Sequence, residues 1–179
     1  LYKQNYDLSK ASGMEEKALK AAISMSRKMY SVVKKERDNK KATDELTAIL
    51  KKAMIKQKSS PEEIKTALEG FPVSAATLTS PWYRSFLVTD PADYWEKVTC
   101  PVLALNGEKD LQVAADINLP AIEKSLKSGG NNAVKTIKFP ELNHLFQHCK
   151  TGLPSEYGEI EETISPEVLK AMSDWIHGL

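Results

Sequence analysis

The sequence predicts an α/β chain: a helical block, then a βαβα unit whose parallel sheet is incomplete within the 179 residues. Three observations carry this expectation. From Leu1 to Gly70 apolar side chains recur at helical spacing and no stretch has the character of a strand. Pro101-Val-Leu-Ala-Leu-Asn106 is a short run between a proline and Gly107. Its apolar residues do not alternate with polar ones, which suits a strand buried on both faces of a parallel sheet. After a helical segment, Leu119–Lys127, comes a second strand candidate, Val134-Lys-Thr-Ile-Lys-Phe139, ended by Pro140.

Leu1–Leu8 is short and mixed and reads as the frayed exit of an earlier element. Ser12-Gly-Met-Glu15 has the form of a capping box, in which serine serves the third amide and glutamate reaches back. The helix it would open carries Ala18, Ala22, Met25, Met29, Val32 and Val33 on one stripe, to about Lys35. Asp38-Asn39-Lys40 reads as a break, with Thr43 or Asp44 capping a helix that bears Leu46, Ile49, Leu50, Ala53 and Met54. Ser60-Pro61-Glu62-Glu63 is a further start, proline first and a capping box around it, for a helix expected to stop near Gly70. The methionines on these stripes read as core packing rather than an adaptable binding face. Phe71–Thr79 looks irregular. Ser80-Pro81 and Asp90-Pro91 start two short helical turns bearing Trp82, Tyr83, Phe86, Leu87, Tyr94 and Trp95. Beyond the second strand a long loop, Gln147–Ile164, leads to Ser165-Pro166-Glu167 and a last helix expected to turn Val168, Leu169, Met172, Trp175 and Ile176 inward.

A hydrophobic share of 41% with 27% charged residues suits a globular chain, not a disordered one. No apolar run approaches the roughly 20 residues of a membrane helix. Leu1–Gly70 holds 16 Lys and Arg against 10 Asp and Glu, the rest 9 against 14. The basic half reads as solvated helix faces, because it lacks interleaved aromatics or a nucleic-acid motif. Cys100 and Cys149 form no C-x-x-C pattern; Cys100 reads as a small core residue and Cys149 as a loop thiol. His144 and His148 stand four apart, but the position after His144 is Leu145, so the H-E-x-x-H zinc pattern is absent. Neither a metal nor a cofactor is expected.

Gly107-Glu108-Lys109-Asp110 leaves a carboxylate just past the first strand, and Asn143-His144-Leu145-Phe146 an imidazole shortly after the second. In a parallel pair both lie at the C-terminal edge, where open α/β sheets bind ligands. Glu108 and Lys109 read as exposed turn residues, His148 as a bystander, and Asn143 receives no catalytic role.

Pro101-Val-Leu-Ala-Leu-Asn-Gly-Glu-Lys-Asp110-Leu-Gln-Val113, Asn118-Leu-Pro-Ala121 and Asn143-His-Leu-Phe-Gln147 together resemble the C-terminal part of a bacterial α/β-hydrolase esterase. The similarity extends through Ser80-Pro-Trp-Tyr-Arg84, Asp90-Pro91 and Lys150-Thr-Gly152. The resemblance implies a C-terminal fragment of an α/β-hydrolase fold, with 1–79 as helical cap or lid and 80–179 as part of the core. It implies Asp110 as triad acid, His144 as triad base and Trp82 as a substrate-pocket residue. Such a triad runs Ser, Asp, His along the chain. The family's nucleophile sits in a G-x-S-x-G elbow, and no two glycines here stand four apart, so the serine is expected upstream of Leu1. The implied activity is hydrolysis of a small carboxylic ester; thioesterase, acyltransferase and peptidase chemistry share the fold. A second reading is a catalytically inactive fragment or self-assembling module. Both readings require the open sheet to pair with the remainder of the hydrolase or with another copy. Neither calls for nucleic acid or a membrane.

Overall fold

A computed structural model describes residues 2–179. The chain is mostly helical, with one two-stranded parallel sheet, and so falls in the α/β class. It divides into two compact units: Glu16–Thr89 with Tyr2, and Asp90–Leu179 with Lys3–Glu15.

The first helix, α1 (Tyr2–Ala11), replaces the expected frayed end. The Ser12 hydroxyl donates to the Leu8 carbonyl at 2.8 Å, so this serine closes α1 and caps nothing. Its S-x-x-E spacing is therefore incidental, and α2 (Glu16–Lys35) starts after it. Leu19, Met29, Tyr30 and Val33 are the buried positions of α2, whereas Ala18 is exposed. The break between helices falls at 36–38, and Asp38, not Thr43 or Asp44, caps α3 (Asn39–Lys56) by accepting from the Lys41 amide at 2.9 Å, so Asn39 and Lys40 are already helical. Ser60 caps α4 (Pro61–Leu78) with the expected reciprocal box to Glu63.

Helix α4 runs on through Gly70 and Pro72 to Leu78 instead of stopping near Gly70. An interior proline costs about 3 kcal/mol and a glycine about 1. Burial offsets them: Ala75 is fully enclosed, and Phe71 and Leu78 pack with it against Met29, Val33 and Leu46. Ser80 then caps α5 (Pro81–Val88), accepting from the Tyr83 amide.

Buried Arg84 ties α5 to the end of α2. Its guanidinium donates to the carbonyls of Thr79, Val33 and Glu36 and to Asn39 Oδ1. Carbonyls at a helix C-terminus lack intrahelical partners and carry the negative end of the dipole. A planar cation with five donors satisfies them without a carboxylate.

In the other unit, α6 (Ala92–Trp95) leads to β1 (Val102–Gly107), α7 (Ala115–Ser128) and β2 (Val134–Phe139). The strands pair in parallel from Val102 opposite Val134 to Gly107 opposite Phe139. One face of the sheet packs Ala104 against Ala115 and Leu119 of α7. The other packs Leu105, Ile137 and Phe139 against Leu142, Phe146 and Val168. Burial on both faces is what the non-alternating run requires. Helix α7 begins four residues before its expected start and carries Pro120 inside it. Cys100, expected in the core, is exposed.

A 3-10 turn, Pro154–Glu159, precedes α8 (Pro166–His177). Ser165 stands at its N-cap position but makes no side-chain cap bond. Of the five α8 residues expected inside, Val168 alone is buried; Leu169, Met172 and Ile176 are exposed. The apolar face is wider than the sheet beside it, so one turn of the helix suffices to cover what two strands offer.

Candidate active site

Parallel pairing brings the C-terminal ends of β1 and β2 side by side, and both polar loops leave from that edge. Gly107 makes their contact possible. A Cβ there would stand 2.3 Å from the Leu142 carbonyl oxygen and 2.5 Å from that of Asn143. Only a residue without a side chain lets the histidine loop lie this close to the strand end. The backbones bond across the approach: the Glu108 amide donates to the Phe139 carbonyl at 2.7 Å, and the Lys109 amide to that of Leu142 at 2.9 Å.

Asp110 is buried in the turn that follows β1. Its Oδ1 accepts from the Gln112 and Val113 amides, both at 2.8 Å. Its Oδ2 accepts from Asn106 Nδ2 and meets His144 Nδ1, each at 2.9 Å. Four donors on two oxygens fit a carboxylate, which only accepts; a protonated acid would clash with at least one of them. The same logic assigns the imidazole tautomer. Facing an ionised acceptor, Nδ1 carries hydrogen, and the lone pair of the neutral ring is on Nε2. The His144 side chain is 37% exposed, and no described residue hydrogen-bonds Nε2. The ring is thus gripped at one nitrogen and open at the other.

The loop that presents this ring is built around Asn143, whose side chain is fully buried. Its Oδ1 accepts from the Leu145 and Gln147 amides at 2.8 and 3.0 Å, and its Nδ2 donates to Gln147 Oε1 at 3.0 Å. Gln147 Nε2 in turn donates to the Glu162 carbonyl at 2.8 Å. Phe146 takes a positive φ of 57° and packs edge-on against Phe139, so the loop turns over the sheet end. A bridge between Leu142 and His148 closes its stem. His148, the expected bystander, is exposed and bonds Glu162 through its amide and Nδ1.

Lys109 is not the free turn residue the sequence suggests. It is half-buried, pairs with Glu141, and donates to the Cys149 and Lys150 carbonyls at 3.1 and 3.2 Å. The Glu141 carboxylate holds its ammonium above the usual lysine range. Gly152, with φ of +77°, also closes on this turn: a Cβ there would stand 2.1 Å from the Lys109 carbonyl oxygen. Tyr157 reaches the same turn, its hydroxyl accepting from Gln112 Nε2 at 2.9 Å. Burial, reinforced by the Asp110 charge, pushes that phenol up and keeps it neutral. The loop thiol Cys149 is likewise pushed up by burial and donates to the Glu141 carbonyl, the opposite of an activated thiolate.

The two expected triad members are therefore in contact. Trp82 belongs to the other unit, where its ring is 69% exposed and stacked on Phe86 at 5.5 Å. The residues that sequence reading passed over are Asn106, Gly107, Lys109 and Gln147. Asn106 left one signal: an amide at the end of an otherwise apolar strand needs a buried partner.

No group of three metal-ligating side chains occurs among the described residues, and no helix is long and apolar enough to cross a membrane. Comparison with family models, curated proteins and solved structures finds no match to this chain.

Proposed function

We propose that this chain supplies the acid and the base of a Ser-His-Asp triad in a serine hydrolase of α/β-hydrolase type acting on carboxylic esters. The observation that carries the reading is the 2.9 Å contact of His144 Nδ1 with a buried, fully donor-saturated Asp110, with Nε2 left open. In this reading the serine lies outside the 179 residues. Its oxygen attacks the ester carbonyl carbon while Nε2 takes its proton. The imidazolium, stabilised by Asp110, then protonates the departing alkoxide, and water repeats the sequence to release the acid. On the motif resemblance, residues 1–79 correspond to the family's cap segment, and no metal or cofactor is called for. The ester chemistry rests on the motif resemblance; the geometry supports an oriented acid–base pair.

Fluorophosphonate labelling tests this, with mass analysis of every polypeptide that carries the chain or copurifies with it. The reading expects one adduct on a serine outside these residues, and its loss in His144→Ala. No adduct on any species, or one undiminished in that variant, overturns it.

The assembly reading has its own observation. The described sheet has two strands only, each paired along one edge, and α8 exposes Leu169, Met172 and Ile176. Two strands are too few for an independent sheet. A monomer that unfolds cooperatively in size-exclusion and denaturation experiments would count against it.

A further inference from the structure

We infer that Asn106 is a positioning residue for Asp110 and, through it, sets how readily His144 takes a proton. The inference rests on the reading of His144 as a base. Asn106 is buried at the C-terminal end of β1, and both hydrogens of its amide nitrogen are used: one on Asp110 Oδ2 at 2.9 Å, the other on the Val113 carbonyl at 3.0 Å. The opposite amide orientation would put an oxygen against two acceptors, so the donor assignment follows from the surroundings.

The two bonds span the turn. Asn106 holds the carboxylate from the strand side while the Gln112 and Val113 amides hold it from the helix side. Oδ2 is the oxygen that also receives His144 Nδ1, so Asn106 and His144 share one acceptor. Sharing divides its strength. Without the amide, the charge on Oδ2 falls on the imidazole alone. The imidazolium, the stronger donor, then gains more than the neutral ring. Removing Asn106 is therefore expected to let the His144 ring take a proton more readily. A hydrophobic residue of similar size would fill the space but lack this effect.

The other titratable groups near this pair are few. Tyr157 touches the Asp110 turn through Gln112 and is neutral. His148 with Glu162 and Glu167 lies at the far end of the histidine loop. Lys109 leaves the same turn but is paired with Glu141.

The test is an NMR titration of the His144 ring in the full chain, in wild type and in Asn106→Leu and Asn106→Ala. Both variants remove the donor, and the smaller one serves if leucine prevents folding. In either, the midpoint is expected to rise by about half a unit or more. Arg84→Ala, which weakens the other unit, is expected to leave it unmoved, so loss of stability alone cannot imitate the result. A midpoint unchanged or lowered in the asparagine variants overturns the inference. The titration needs no substrate and no nucleophile, so an absent fluorophosphonate adduct would sink the hydrolase reading without touching this one.

Discussion

Among the described residues, each compact unit buries one charged side chain in a cage of hydrogen bonds, and the two cages differ in where they end. Arg84 donates to the backbone at the end of α2, to its own preceding turn and to Asn39. Every one of those bonds closes inside the unit, so the residue holds helices together and has nothing left to offer. Asp110 is as deeply buried and as well bonded, yet one of its four bonds passes to a half-exposed ring whose far nitrogen no described residue meets. Burial and saturation are common to both sites. What separates a structural charge from a chemical one here is that the second network has an open end.

The comparison can be broken at its closest approach. Gly107→Ala would push a methyl into two backbone carbonyls that cannot move cheaply. A loss of about 3 kcal/mol of stability is expected. It should come with loss of the Asp110–His144 contact, read by denaturant unfolding and by the His144 ring resonances. Arg84→Ala should cost about 2–3 kcal/mol, because buried carbonyls lose a charged donor. Urea unfolding would show it, and the His144 resonances should not shift. Asn143→Ala sharpens the contrast further. It strands the Leu145 and Gln147 amides, for about 2 kcal/mol. Unlike Arg84→Ala, it should raise hydrogen exchange within 143–148.

The smallest effect concerns acid. The His148 amide, followed by the His148 ring, holds the Glu162 carboxyl below its ordinary value of 4.5. A carboxyl depressed on folding adds stability above its unfolded pKa and loses it as pH falls through the folded one. The sheet-bearing unit should therefore weaken below about pH 4.5. Glu162→Gln should flatten that limb in a pH series of thermal melts.

The elements legible in the sequence were those set by contiguous chemistry. The first strand shows as a short apolar run between Pro101 and Gly107, and the second as the short run Val134-Lys-Thr-Ile-Lys-Phe139 cut off by Pro140. Asp110 and His144 were legible because each lies in the loop beyond its own strand, and parallel pairing leaves such loops little choice but to meet. Helix ends were harder. Ser12 and Glu15 have the spacing of a capping box, but the hydroxyl found the Leu8 carbonyl first. Gly70 and Pro72 look like a stop, yet Phe71, Ala75 and Leu78 bury enough surface to carry α4 past them. The supporting residues of the site were hidden for a different reason. Asn106, Lys109 and Asn143 act through partners 2 to 41 positions away, and no local pattern names those partners.

The central claim is that Asp110 fixes His144 with hydrogen on Nδ1 and a free lone pair on Nε2. Nitrogen-15 shifts of the His144 ring above its titration midpoint test it directly. The account predicts the Nδ1–H tautomer, against the preference of free imidazole side chains in water for Nε2–H, and a return to the Nε2–H form in Asp110→Ala. A wild-type ring that is already Nε2–H, or indifferent to Asp110→Ala, would contradict it.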